Sequence, residues 1–149
     1  MAHKYEKKGS HNYSPTGIGT TNGKGEGDIM YHGSTSVTQG RLYVLTYVEA
    51  SEWVLADADN STSGNLLAVA MGTGAADTVG MFLRGMLYNT GGSAVTLANA
   101  GKPIYISTSA GVMTSTIPTA SNDYVRIVGY NIANNVMWFN PDNSFIKIA

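Results

Sequence analysis

The sequence predicts an all-β protein, a compact antiparallel β-barrel or sandwich of about ten short strands preceded by an extended N-terminal arm. Three observations predict it. Short runs rich in β-branched and aromatic residues recur about every 8–12 residues, turn-formers separate them, and no apolar stripe of helical period runs far enough to build a helix. Without helical crossovers, neighbouring strands are expected to be antiparallel and joined by tight turns.

The arm is assigned to residues 1–33 and the β-domain to residues 34–149. Residues 1–33 hold all three histidines (His3, His11, His32), four of the nine basic residues and seven glycines. Tyr5, Tyr13 and Ile18 are the only sizeable apolar groups in the first 28 residues, which is too little to bury against the entropy of ordering the chain. Fully extended, the first 30 residues reach on the order of 100 Å, far enough to cross to a neighbouring subunit.

The body opens near Asp28, Ile29, Met30 and Tyr31. The run Arg41-Leu42-Tyr43-Val44-Leu45-Thr46-Tyr47-Val48 is the clearest strand, followed by Glu52-Trp53-Val54-Leu55-Ala56. Asp57-Ala58-Asp59-Asn60-Ser61-Thr62-Ser63-Gly64 is a loop of turn-formers. Further strands are expected over 66–71, 78–87, 94–97, 103–107, 111–114, 124–132, 136–139 and 144–148. Turns at 89–92, 99–101, 133–135 and 140–143 separate the later ones. Leu66-Leu67-Ala68-Val69-Ala70-Met71 fits a buried strand or a helical turn equally, because periodicity does not decide over so few residues.

With 149 residues the chain suits one domain, and a body of about 115 residues buries close to two thirds of its unfolded surface. Cysteine is absent, so disulfides and thiolate chemistry are excluded. The N-terminus carries no apolar stretch behind its basic residues, and the longest aliphatic run is the six residues from Leu66. Neither a standard export signal nor a bilayer span is therefore expected. Only 13% of residues are charged, about half the usual share. The body carries five basic residues against seven acidic ones, and those five are scattered, so nucleic acid is not an expected partner. A surface of Thr, Ser, Asn, Gly and Ala is cheap to desolvate and suits repeated subunit contacts.

Catalytic patterns are sparse. The histidine spacings match no structural zinc pattern, and the body lacks the histidine a Ser-His-Asp triad needs. Gly23-Lys24-Gly25-Glu26-Gly27 misses the phosphate-loop pattern and reads as linker glycine. Asp57, Asp59 and Asp77 are the best carboxylate candidates for glycan hydrolysis or calcium binding, but Asp57-Ala58-Asp59-Asn60 reads better as turn-capping residues. No enzyme, cofactor or metal is expected. Trp53, Trp138 and the tyrosines read first as core or interface residues and second as a sugar-binding face. Arg84 stands alone between Met81-Phe82-Leu83 and Gly85-Met86-Leu87, either facing solvent or pairing across a subunit contact.

Three stretches carry a family likeness: Ala100-Gly101-Lys102-Pro103-Ile104-Tyr105-Ile106-Ser107, then Gly111-Val112-Met113-Thr114-Ser115-Thr116, then Val125-Arg126-Ile127-Val128-Gly129-Tyr130 ending in Met137-Trp138-Phe139-Asn140-Pro141-Asp142. They resemble a module of tailed-bacteriophage virion proteins, most like head decoration (capsid cement) proteins, with related β-modules in tail fibres. No catalytic residue belongs to that pattern. The resemblance implies a non-enzymatic virion structural protein that binds the outside of an assembled head and stabilises it by bridging capsid subunits. Its implied partner is the major capsid protein, with self-assembly as a homotrimer, location on the capsid surface after assembly in the host cytoplasm, and no membrane partner. The arm residues Lys4, Tyr5, Lys7, Lys8, Tyr13 and Ile18 would contact the capsid, and Arg84, Trp53 and Trp138 would serve a subunit interface. The alternative is a tail-fibre or tail-tip adsorption module binding host surface glycans through aromatic and Asn/Asp loops.

Overall fold

The computed structural model describes residues 23–47, 51–89 and 99–149. The fold is all-β, and the described residues form thirteen strands: β1 (Lys24–Met30), β2 (Ser36–Val37), β3 (Leu42–Tyr47), β4 (Ser51–Leu55), β5 (Leu67–Ala70), β6 (Gly74–Ala75), β7 (Met81–Tyr88), β8 (Pro103–Ile106), β9 (Met113–Thr114), β10 (Tyr124–Val125), β11 (Ile127–Ala133), β12 (Val136–Phe139) and β13 (Ile146–Lys147). A four-residue helix, α1 (Ala76–Val79), and a 3-10 turn at Ser61–Gly64 complete the described elements.

Eight strands follow the order β4-β3-β5-β7-β12-β11-β8-β9, every pair antiparallel, and the sheet curls into a half-barrel. Its two ends are tied by main-chain bonds. The N–H of Leu42 donates to Gly111 (3.0 Å), the N–H of Gly111 to Ala56 (2.7 Å), and the N–H of Ala58 to Ser107 (2.9 Å). At the β4 edge the N–H of Trp53 donates to the Thr35 hydroxyl at 3.3 Å, which blunts a place where a foreign strand would otherwise pair.

β7 is the shared strand of the sheet. Its start pairs with β5 (Met81↔Ala70, Phe82↔Val69), its end with β12 (Gly85↔Phe139 to Tyr88↔Val136), and β1 runs antiparallel along its whole length. The register of β1 slips between Asp28 and Ile29, leaving Leu83 as the extra residue on β7. Lys24–Met30 lies inside the stretch that the sequence reading gave to the arm, and the sheet accordingly begins at Lys24 rather than at Ser34. The physical reason is a glycine face. A Cβ on Gly25 would press on the Phe82 ring, and one on Gly27 would occupy the place of the Arg84 carbonyl. The missing side chains let β1 lie close against β7.

The inner surface of the curl is packed with Leu42, Val44, Leu67, Val69, Phe82, Leu87, Ile104, Ile106, Val128, Met137 and Phe139. The Phe82 and Phe139 rings meet at 6.2 Å in a tilted pair. Outside β3 and β5, the β2–β6 ribbon and α1 cover a second cluster of Val37, Tyr43, Trp53, Ala68, Ala70, Ala76 and Met81. β5 is thus buried on both faces, and its unbroken apolar sequence is what such a strand requires. This settles the ambiguous 66–71 run as a strand. The strand expected over 78–87 starts later, at Met81, because 76–79 form one helical turn that Gly80 ends at φ 87°. The strand expected at 94–97 lies outside the described residues.

Candidate functional site

The carboxylate candidates separate. Asp57 Oδ1 accepts the N–H of Asp59 (3.3 Å), Asn60 Oδ1 accepts the N–H and hydroxyl of Thr62 (both 3.0 Å), and the Ser63 hydroxyl donates to the Asp57 carbonyl. These bonds close a turn. Desolvation raises the Asp57 pKa above its ordinary 3.8, and the neighbouring Asp59 adds to the rise through its side-chain hydrogen bond and its charge. Asp77 is exposed in α1, where its carboxylate accepts from the Thr78 hydroxyl at 3.2 Å. Among the described residues no three His, Cys, Asp or Glu side chains gather as a metal-binding group.

Arg126 is a buried hub that the sequence reading missed. Only 6% exposed, it donates from Nε to the carbonyl of Asp142 (2.8 Å) and from Nη1 to the carbonyls of Ser63 (2.8 Å) and Asn65 (2.6 Å). Burial pulls its pKa below the ordinary guanidinium value, and the charge of Asp142 works against that pull. Its bonds join the 3-10 turn, the start of β11 and the 140–143 loop. Isolated basic residues in a β-rich sequence are the one signal that marks such a position, since a buried charge must be given several acceptors.

The three residues expected at a subunit interface fall in different places. Trp53 is 1% exposed within its own chain, and its indole N–H donates to the His32 carbonyl at 2.8 Å. That burial accounts for the ring without a partner. Arg84 and Trp138 lie together on the outer face of the sheet, with the guanidinium carbon 5.8 Å from the indole ring centre. The bulge in β7 brings Arg84 outward beside Leu83, opposite Asp28 of β1. Trp138 pairs with Met86 on one side and Tyr130 on the other, so a row of Met86, Trp138 and Tyr130 crosses β7, β12 and β11. Lys4, Tyr5, Lys7, Lys8, Tyr13 and Ile18 lie outside the described residues.

Beside that row, Tyr130 and the 140–143 loop enclose an open cleft of about 320 Å3, lined by Ile127, Tyr130, Asn140, Pro141, Asp142 and Asn143. A second, mostly apolar depression of about 280 Å3 lies under Phe145 and Ile146, against Tyr105, Val125 and Ile127. A third, of about 300 Å3, is lined by Ser107, Thr114, Thr116, Ile117 and Asp123 among others. Compared with known proteins, the chain matches no family model, no curated protein and no solved structure.

Proposed function

We propose that the protein is a non-enzymatic structural component of a phage virion that binds the outside of an assembled head and braces it by bridging capsid subunits, as a homo-oligomer, with a trimer favoured. The observation that carries this reading is where the family-like stretches fall. Residues 100–107, 111–116 and 125–142 supply β8, β9, β11 and β12, which are successive neighbours in the sheet and so make one structural unit rather than scattered turns. The poverty of charge in the body, five basic and seven acidic residues beyond residue 33, adds support because uncharged surface is cheaply desolvated in repeated contacts.

In this reading the chain ahead of Gly23 is the docking element. It joins the body at β1, beside β7, and Lys4, Tyr5, Lys7, Lys8, Tyr13 and Ile18 meet the capsid. Holding strength comes from repetition: many modest contacts over a shell make simultaneous release improbable. The outer row around Arg84 and Trp138 is available for contacts between copies.

The test is co-sedimentation with undecorated heads of the phage that encodes the protein, using the full chain and a version starting at Gly23, together with the native mass in solution. Because β1 belongs to the sheet, the truncation must stop before Lys24. Pelleting by the full chain alone supports the arm as the docking element. A monomer that ignores heads in both forms rules the reading out.

A further inference from the structure

The cleft beside Tyr130 has the components of a recognition site, and they are held rigidly. Two main-chain bonds pin its loop to β11: Asn140 N–H to the Val128 carbonyl (2.9 Å) and Asp142 N–H to the Ile127 carbonyl (2.8 Å). From beneath, Arg126 Nε holds the Asp142 carbonyl. The Asp142 carboxylate accepts from the Ser144 N–H at 3.4 Å, a long contact that leaves most of its acceptor capacity open. The side chains of Asn140, Asp142 and Asn143 are all exposed, as is Tyr130 at 42%. The side-chain amides of Asn140 and Asn143 make no hydrogen bond to the described residues. An ordered loop that displays unused amides has already lost the entropy that binding would otherwise have to remove.

The chemistry of this set narrows the ligand. Tyr130 offers an exposed aromatic ring, and its cross-strand neighbour Trp138 extends that surface towards Arg84. Two carboxamides supply paired donors and acceptors, and one carboxylate supplies acceptors only. The six lining residues include no cation and one anion, Asp142, and the Arg126 guanidinium beneath the loop is turned to the carbonyls of Ser63, Asn65 and Asp142, so the lining offers no cationic donor to a phosphate, sulfate or carboxylate ligand. A ligand with an apolar ring face, a rim of hydroxyls and no negative charge fits all of these: the C–H face of a pyranose stacks on Tyr130 while its hydroxyls donate to Asp142 and exchange bonds with Asn140 and Asn143. The volume is at the small end for ligand sites and the cleft is open, which suits one ring of a longer chain.

We propose that this cleft is a carbohydrate subsite for a neutral glycan, with Tyr130 as the stacking platform, Asn140, Asp142 and Asn143 as the hydroxyl readers and Arg126 as a positioning residue for the loop. The site is distinct from capsid docking through the residues ahead of Gly23, and it operates whether the protein sits on a head, on a tail or free in solution.

The experiment uses the full chain and a panel of neutral mono- and oligosaccharides of glucose, galactose, mannose and N-acetylglucosamine, with sulfated and sialylated sugars as anionic comparators. The chain has two tryptophans, so NMR gives two indole N–H signals, Trp138 next to the site and Trp53 buried away from the surface as a reporter of the fold. The expected result is a saturable shift of the Trp138 signal with at least one neutral sugar, an unmoved Trp53 signal, and binding weaker by about tenfold in Tyr130→Ala, the worth of one stacked ring. Asn143→Ala removes only an exposed side chain and is expected to weaken binding with the fold intact. If no neutral sugar shifts Trp138, if anionic sugars bind in preference, or if both variants bind as tightly as the parent, the assignment is overturned.

Discussion

Arg126 Nη1 donates to the Asn65 carbonyl at 2.6 Å, joining the start of β11 to a turn 61 residues earlier in the chain. A guanidinium satisfied by three main-chain carbonyls acts as a bolt through the fold rather than as a charge partner. Replacing Arg126 by Met keeps much of the stem and removes every donor, leaving the carbonyls of Ser63, Asn65 and Asp142 without their partner. The expected loss is about 2–4 kcal/mol in denaturant unfolding. Lys at the same place recovers only part of this, since it cannot span three acceptors with a planar fork.

The glycine face of β1 gives a sharper test. At Gly85, with φ 137°, a Cβ would collide with the Glu26 carbonyl, and at Gly27 one would collide with the Arg84 carbonyl. Both collisions are with backbone, so neither relaxes by a side-chain rotation. Gly27→Ala and Gly85→Ala are each expected to cost more than about 3 kcal/mol or to abolish folding. Gly101→Ala is the control: φ is 80° there but nothing lies within 4 Å, so only about 1 kcal/mol of backbone strain is expected. Thermal unfolding of the three variants separates close approach from conformational preference.

Asp57 predicts a pH dependence. Its folded pKa is raised, so the folded state binds more protons than the unfolded state as pH rises from about the ordinary 3.8 to the elevated value, and stability at this site falls through that window. Above the window the penalty is constant. Asp57→Asn keeps an oxygen for the Asp59 N–H and removes the repulsion from Asp59. It is therefore expected to raise Tm modestly at neutral pH, with the gain disappearing once the pH drops below the window. A gain that persists under acid assigns the effect to something other than this carboxylate.

Arg84 and Trp138 make an exposed contact, and its worth to the monomer is small. Arg84→Ala is expected to cost about 0.5–1 kcal/mol or less in stability, the usual value of such a pair in water. If the outer row joins copies, the same substitution lowers the native mass seen by sedimentation far more than it lowers Tm. Trp53→Phe should behave oppositely: it removes the hydrogen bond to His32 from a fully buried ring and is expected to cost about 1–3 kcal/mol while leaving association unchanged.

Much of the fold was legible in the sequence because short runs of β-branched and aromatic residues are set off by turn-formers. The runs 41–48 and 136–139 read as strands on that basis, and the structure has β3 and β12 there. β1 was not legible as a strand. Its inward positions are Gly25 and Gly27, so it contributes space for Phe82 rather than apolar side chains, and pattern reading finds nothing to count. α1 is a single turn and too short to show a period. The candidate site was legible only in parts: Tyr130 as an aromatic and 140–143 as a turn, but their meeting depends on the β11–β12 register, which a bulge between Asn131 and Ala133 shifts, and on the Arg126 bonds, which reach back to Ser63 far away in sequence.

Because β7 is flanked by Lys24–Met30 on one side and by Val136–Phe139 on the other, the two sides of one strand come from segments made far apart in synthesis. Until Val136–Phe139 emerge, Gly85–Tyr88 keep an unfilled hydrogen-bonding edge. Completion of the sheet therefore waits on the later segment, with slow closure typical of non-local pairing. Newly made chains crowded on one messenger are most prone to exchange strands at this edge.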